Sequence, residues 1–159
     1  MSVVTKLNVL RGYPPSDSSS LTLSAVPKIN EAIKSGHLIC LDLNNQWVKG
    51  KRAGMWPAWA LQDQDAPDVI YSGKLTGLIG LFGYEIETPY FVSGNYQPGV
   101  FVTNATGSDA GKITESCSYP STDDVVGLVS RGKYVNKDGN TVVSLYTVFY
   151  PVSSSIAAS

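Results

Sequence analysis

The feature that most constrains the fold is a succession of short apolar runs that fills the chain from residue 36 onward. Each run is rich in Val, Ile, Leu or aromatic residues and is bounded by Gly, Pro, Asn or Asp. Such punctuation, at intervals of roughly 10 to 15 residues, is typical of a sandwich or barrel and not of βαβ units. The sequence therefore predicts an all-β fold, an antiparallel barrel or sandwich. Its predicted strands are 36–43, 46–48, 58–61, 76–82, 84–88, 99–103, 112–115, 124–130 and 141–149.

One hairpin is predicted from local chemistry near the end of the chain. Asp138 and Gly139 form a pair that supplies the positive φ angles of a tight turn, and valine-rich runs flank it. The second of these runs, 141–149, is apolar on both faces, since Val142 starts one row of side chains and Val143 the other. Such a strand is usually central in a packed domain or covered by a neighbouring subunit.

The organisation of the chain follows from composition. Residues 1–25 are rich in serine around two adjacent prolines, which predicts an extended N-terminal arm. Residues 26–151 are expected to form a single β-rich domain, and the Ser/Ala-rich residues 152–159 a flexible C-terminal tail. One short helix is expected over residues 26–36, with Pro27 in its first turn and Gly36 at its end.

The charge of the chain limits its partners. With 12 Lys and Arg against 13 Asp and Glu, and only 16% charged residues, the chain lacks the basic surface that binds nucleic acid directly. The most apolar window, 75–86, is shorter than the roughly 20 residues of a membrane-spanning helix. The N-terminus has no apolar signal region, so synthesis in a reducing cytoplasm is expected. For Cys40 and Cys117, two buried thiols are expected, with a disulfide as the alternative.

The residues that could carry acid–base or nucleophilic catalysis are few. The single histidine, His37, is expected to be a solvated turn residue, and Cys117 lies in a loop with no neighbour that would lower its pKa. Glu85 and Glu87 alternate along a strand, and two exposed carboxylates on the wet face of a sheet are the expected outcome. The sequence therefore predicts that the protein is not an enzyme.

Two further motifs suggest a cofactor or metal only superficially. The segment 107–113 has too few residues between its glycines for a phosphate loop and has Ile113 where Mg²⁺ needs Ser or Thr, so it is predicted to be a turn. The acidic residues Asp63, Asp65 and Asp68 lack the glycine and the distant glutamate of a calcium loop, so a solvated loop is expected. No cofactor and no metal are predicted.

Three segments carry a resemblance to a known family: 96–103 (Tyr-Gln-Pro-Gly-Val-Phe-Val-Thr), 110–114 (Ala-Gly-Lys-Ile-Thr) and 124–132 (Asp-Val-Val-Gly-Leu-Val-Ser-Arg-Gly). The chain from about residue 58 to residue 151 resembles the head decoration, or cement, proteins of tailed bacteriophages. Their pattern is Y-x-P-G-x-x-L-T, then G-x-I-T, then D-x-V-V-G-I-V-S-x-G. The resemblance implies a structural virion protein on the capsid exterior, assembled in the bacterial cytoplasm, that clamps neighbouring major capsid subunits and associates with itself as a trimer or dimer.

The expected contacts with the capsid are apolar residues of the arm and two tryptophans. A segment too polar to fold alone can add a strand to a partner, and its apolar residues would then be docking points. The predicted contact residues are Val3, Val4, Leu7, Val9, Leu10, Trp56 and Trp59.

Two alternative functions remain: a tail or baseplate subunit of the same virion, and a carbohydrate-binding module that stacks sugars on Trp47, Trp56 and Tyr90.

Overall fold

The computed structural model describes residues 7–11, 22–28, 30–50, 55–63, 74–79, 84–115 and 124–150. These residues form eleven strands and a three-residue 3₁₀ helix at Gly107–Asp109, so the all-β prediction is confirmed. The strands are β1 (Asn8–Arg11), β2 (Thr22–Pro27), β3 (Leu38–Leu41), β4 (Gln46–Lys49), β5 (Ala58–Ala60), β6 (Leu75–Ile79), β7 (Glu85–Thr88), β8 (Phe101–Asn104), β9 (Ile113–Glu115), β10 (Val125–Val135) and β11 (Thr141–Tyr150).

Five of the strands close into a small barrel in the order β2-β4-β3-β5-β6. The pairs are antiparallel except β2 with β4, which run parallel. Trp47 points into the barrel and is buried, and its indole N–H donates to the Leu75 carbonyl oxygen at 2.7 Å. Gly77 faces this ring, where an added Cβ would lie 3.1 Å from two of its carbon atoms. The barrel is therefore filled by one large side chain fitted against small ones.

The other six strands form an antiparallel sheet in the order β1-β7-β11-β10-β8-β9. The central position predicted for the strand at 141–149 is confirmed, because β11 lies between β7 and β10 and both Val142 and Val143 are fully buried. One face of the sheet packs against the outer side of the barrel. The barrel contributes Leu38, Trp59 and Leu78 to this shared core.

The predicted hairpin joins β10 to β11, with one difference in its turn. Only Gly139 has a positive φ, +82°, and Asp138 does not. The Asn136 side-chain oxygen accepts the backbone N–H groups of Asp138 and Asn140, each at 3.0 Å. The Gly139 N–H donates to the Asn136 carbonyl, also at 3.0 Å. An asparagine-stabilised turn followed by a left-handed glycine thus makes the reversal.

The prediction of a short helix over residues 26–36 is wrong. Pro27 ends β2 and is the register partner of Trp47 in β4, while Gly36 has a φ of +101° in a turn. Ile33, between them, is buried with Ala25 and other residues at one end of the barrel. The prolines and glycines fit a helix locally, but strand pairing with distant parts of the chain overrides that weak preference.

The predicted division between arm and domain at residue 25 does not match the fold. The strand β2 crosses that boundary and pairs with β6 through residues 22–25, and β1 pairs with β7. Each of these two strands gains backbone hydrogen bonds by joining a sheet. Residues 1–6, 12–21 and the predicted tail 152–159 lie outside the described residues.

Candidate functional site: an apolar barrel mouth and a polar cleft

Two predicted contact residues are buried and are not available to a partner, so their assignment was wrong. Trp59 is 0% exposed, since it points out of the barrel into the core shared with the sheet. Ala58 and Ala60 flank it on the inward side, and this alternation of small and large residues is the signal that the prediction missed. Leu7 is buried in the same core, and its N–H donates to the Ser35 hydroxyl at 3.0 Å.

The remaining contact predictions in the N-terminal segment divide into three groups. Leu10 is 45% exposed at the edge of the six-stranded sheet, so it is accessible. Val9 is partly buried and packs against the main core. Val3 and Val4 lie outside the described residues.

Trp56 lies at the open end of the barrel and is 49% exposed. Its ring meets Phe149 of β11 edge to face, with the ring centroids 4.8 Å apart. Behind it opens a cavity of about 460 Å³ with an almost wholly apolar lining. Most of its walls are inward-facing barrel side chains, so rigid strands hold them in place. The lining residues are Leu23, Leu41, Trp47, Met55, Trp56, Ala58 and Ile79, and we call this surface the barrel mouth.

The opposite face of the sheet carries a polar cleft of about 520 Å³. Glu87 forms its floor and is buried. Its carboxylate accepts hydrogen bonds from the Asn8 amide at 2.6 Å, the Asn136 amide at 2.8 Å and the Tyr134 hydroxyl. These donors come from β1, from the hairpin turn and from β10, so one buried charge ties three elements to β7. We call these four residues the Glu87 cluster.

The prediction that Glu85 and Glu87 are exposed is therefore wrong, since both are largely buried. The residues that contact the Glu87 carboxylate come from β1 and from the hairpin, far from Glu87 in the chain, so no local sequence pattern predicts them. Burial and the hydrogen bond to Glu87 raise the pKa of Tyr134 to about 12, so its hydroxyl remains a donor at neutral pH. The Arg131 guanidinium stacks 3.8 Å above the Tyr134 ring.

His37 is buried, which contradicts the prediction of a solvated turn residue. Its Nδ1 accepts the backbone N–H of Lys34 at 2.9 Å, and its ring lies 4.0 Å from that of Tyr90. Desolvation, followed by the charges of Lys49 and Lys112, lowers the pKa of His37 to about 4. The imidazole is therefore neutral at pH 7, and its contacts fix the loop before β3.

The two superficial motifs have structural roles where they are described. The segment 107–113 forms the 3₁₀ helix, a turn and the start of β9, as predicted for a turn, and Lys112 pairs with Asp109 at 3.0 Å. Asp63 accepts the Ser35 N–H at 2.7 Å, while Asp65 and Asp68 lie outside the described residues. Within the described ranges, no three His, Cys, Asp or Glu side chains gather as a metal site would require.

The stacking surface of the alternative carbohydrate-binding prediction does not form. Trp47 is enclosed in the barrel, and the ring of Tyr90 packs against His37. Of the three proposed platforms, Trp56 alone presents much of its ring to solvent. Cys40 is buried in β3, and Cys117 lies outside the described residues.

Comparison of the chain with protein-family models and with the curated proteins finds no match. In the part of the chain that the structure describes, no helix is both long and apolar enough to cross a membrane. The functional argument therefore rests on the residues and their arrangement.

Proposed function

We propose that this chain is a structural virion protein that binds the outer surface of a bacteriophage capsid. It stabilises the capsid by contact with neighbouring major capsid subunits and performs no catalysis. The proposal draws on the family resemblance of three segments and on where these segments lie in the fold. It places the protein on the virion exterior after assembly in the bacterial cytoplasm.

The observation that carries the proposal is that the three resembling segments are neighbours in space. They contain β8, β9 and β10, which lie side by side in the order β10-β8-β9 at one edge of the six-stranded sheet. The segments follow one another within residues 96–132, and the strands that they contain pair directly with each other. The resemblance thus covers one structural unit at the edge of the sheet.

Tyr96, the first residue of this pattern, has a specific role in that unit. It is fully buried with a φ of +51°, and its hydroxyl donates to the carbonyl oxygens of Val92 and Ile113. Gly132, the last residue of the pattern, passes so close that an added Cβ would lie 2.8 Å from the Tyr96 carbonyl oxygen. The two ends of the pattern therefore require each other, which supports reading it as one motif.

The sheet also offers a place for the capsid contact. Its other edge is β1, which has a neighbouring strand, β7, on one side. An extended segment of a partner adds most readily to such an edge, and the exposed Leu10 lies on it. Capsid contact through β1 would leave the core unchanged.

Binding to capsids tests the proposal. Heads assembled from the major capsid protein encoded in the same genome are mixed with the purified chain and sedimented. We expect the wild-type chain to sediment with the heads, and Leu10→Asp to weaken binding by at least about tenfold, because a buried leucine contributes about 2 kcal/mol. Leu10→Met is the matched control, since it keeps an apolar side chain of similar volume at the same exposed position.

The outcomes separate the proposal from its rivals. Saturable binding to heads that is lost in Leu10→Asp supports it. Absence of binding to heads overturns it, and binding to tails or baseplates instead supports the alternative of a tail subunit. Equal binding of both variants leaves the capsid assignment standing but removes β1 as the contact.

A further inference from the structure

The barrel mouth is an apolar surface that the chain's own described residues do not cover. Leu23 is 42% exposed and Trp56 49%, and both belong to its wall. The floor is the Trp47 ring, whose N–H is already bonded inside the barrel. Apolar surface that is concave, rigid and open to water is characteristic of a binding site. Its occupant must be apolar and uncharged, since nothing in the lining binds a charge.

The same end of the barrel carries an apolar knob. The turn between β3 and β4 lies at this end, because it joins Leu41 to Trp47, both of which line the mouth. Leu43, in the turn, is 89% exposed, the highest value among the large apolar side chains described. A leucine presented in this way gains by burial against a partner.

The turn that carries Leu43 is rigid. The Asp42 Oδ1 oxygen accepts the backbone N–H groups of Asn44 at 2.8 Å and Gln46 at 3.0 Å. The Asp42 and Asn45 backbones add two more bonds across the turn, and Asn45 has the positive φ, +61°, that closes it. The side chain is therefore held outward without a flexible loop to order on binding.

We propose that two copies of this chain associate mouth to mouth, each inserting Leu43 into the barrel mouth of the other. A knob and a cavity on one surface of the same molecule are self-complementary, and a two-fold axis brings each knob over the other cavity. The turn adds no exposed acid, since Asp42 is buried, so two such surfaces meet without charge repulsion. The resemblance already implies a trimer or dimer; the proposal adds the interface and its two-fold symmetry, and neither depends on where the protein contacts the capsid.

This arrangement leaves the sheet edge at β1 available. Leu10 belongs to the sheet and Leu43 to the barrel, in different strands and turns of the fold. A mouth-to-mouth dimer would therefore present two β1 edges, one from each copy. If the capsid is the partner, one dimer would hold two sites at once, which raises the effective affinity.

The mass of the purified full-length chain in solution tests the proposal. Sedimentation velocity over a wide range of concentrations is expected to show a monomer–dimer equilibrium. Leu43→Asp is expected to weaken association by at least about tenfold, because each interface would bury two such leucines. Val135→Asp is the matched control, since Val135 is also exposed but lies at the end of β10. It is expected to leave the equilibrium unchanged.

Tryptophan fluorescence gives a second readout. Trp56 loses contact with water when the mouth is covered, so its emission should shift to shorter wavelength as the wild-type concentration rises, and not in Leu43→Asp. A monomer at every concentration overturns the proposal, as does a dimer that survives Leu43→Asp. A trimer or larger ring overturns the two-fold arrangement. A monomer that uses Leu43 to bind capsids assigns the mouth to the capsid and also overturns it.

Discussion

The barrel and the outer face of the sheet are built by opposite means. The barrel is held by shape, since Trp47 fills a space bounded by Gly77 and alanines and needs one hydrogen bond. The outer face of the sheet is held by polarity, since the buried Glu87 carboxylate joins β1 and the hairpin to β7. This difference determines which of the two regions has side chains left over for a partner. Apolar packing leaves the barrel mouth unfilled. The Glu87 carboxylate, in contrast, already accepts hydrogen bonds from Asn8, Tyr134 and Asn136.

The largest expected effect is the removal of the barrel's central side chain. Trp47→Ala should lower the free energy of unfolding by about 4 kcal/mol, because it leaves a cavity that the surrounding strands cannot fill. Urea denaturation measures the loss. Trp56→Ala removes the same ring from the half-exposed rim and should cost less than about 1 kcal/mol. Equal losses in the two variants would show that the barrel is not organised around Trp47.

Loss of the Glu87 carboxylate should have the next largest effect on the free energy of unfolding. Glu87→Ala should cost about 3 kcal/mol, because two amides and a phenol lose their acceptor in a buried site. Amide hydrogen exchange should accelerate in β1, which Asn8 ties to this carboxylate. Glu87→Gln, which keeps an acceptor and the shape, should cost less. If the two variants unfold at the same denaturant concentration, the hydrogen bonds do not hold this face together.

The stability that His37 gives to the loop before β3 should depend on pH, unlike the packing of Trp47 in the barrel. The pKa of His37 is about 4 in the folded chain and about 6.5 when unfolded, so the unfolded chain binds more protons between these values. His37 thus contributes stability that is fully present above pH 6.5 and is lost as the pH falls towards 4. About 2 kcal/mol should be lost across this window, a figure kept below the full linkage energy because solvent screens the lysine charges.

The control for this prediction is His37→Asn, whose side-chain oxygen keeps an acceptor for the Lys34 N–H but does not titrate. Denaturation curves of the two proteins at several pH values isolate the histidine, because the carboxylates titrate in both. The curves should diverge between pH 6.5 and 4. Parallel curves through this window would mean that His37 is not held neutral by its surroundings.

The local patterns identify most of the strands, but they leave open whether these strands close into a barrel or form a sandwich. Alternating apolar residues and the Asp138-Gly139 turn have local signals, and both the strands and the hairpin are confirmed, although Gly139 has a positive φ and Asp138 does not. Closure depends on β2 pairing with β4 and β6, which lie far along the chain, whereas the local pattern around Pro27 predicts a helix. Such long-range pairings have no counterpart in a short window of sequence.

The candidate surfaces were harder to predict for the same reason. Glu87 is buried by residues of the hairpin, and only the fold brings them together. Two tryptophans are predicted as anchors. Trp59 is buried, because it points from β5 into the core between barrel and sheet, while Trp56 remains half-exposed at the rim of the barrel. The sequence predicted that a partner would be held by apolar contact. It did not identify the barrel mouth or Leu43, because it does not show which end of a strand faces water.

The most direct test of the central claim is gold labelling of intact virions with antibodies raised against this chain. The proposed function predicts that particles from a phage encoding the chain carry gold distributed over the surface of the head. Virions that carry no label, or that carry it only on the tail, would contradict the assignment to the capsid exterior.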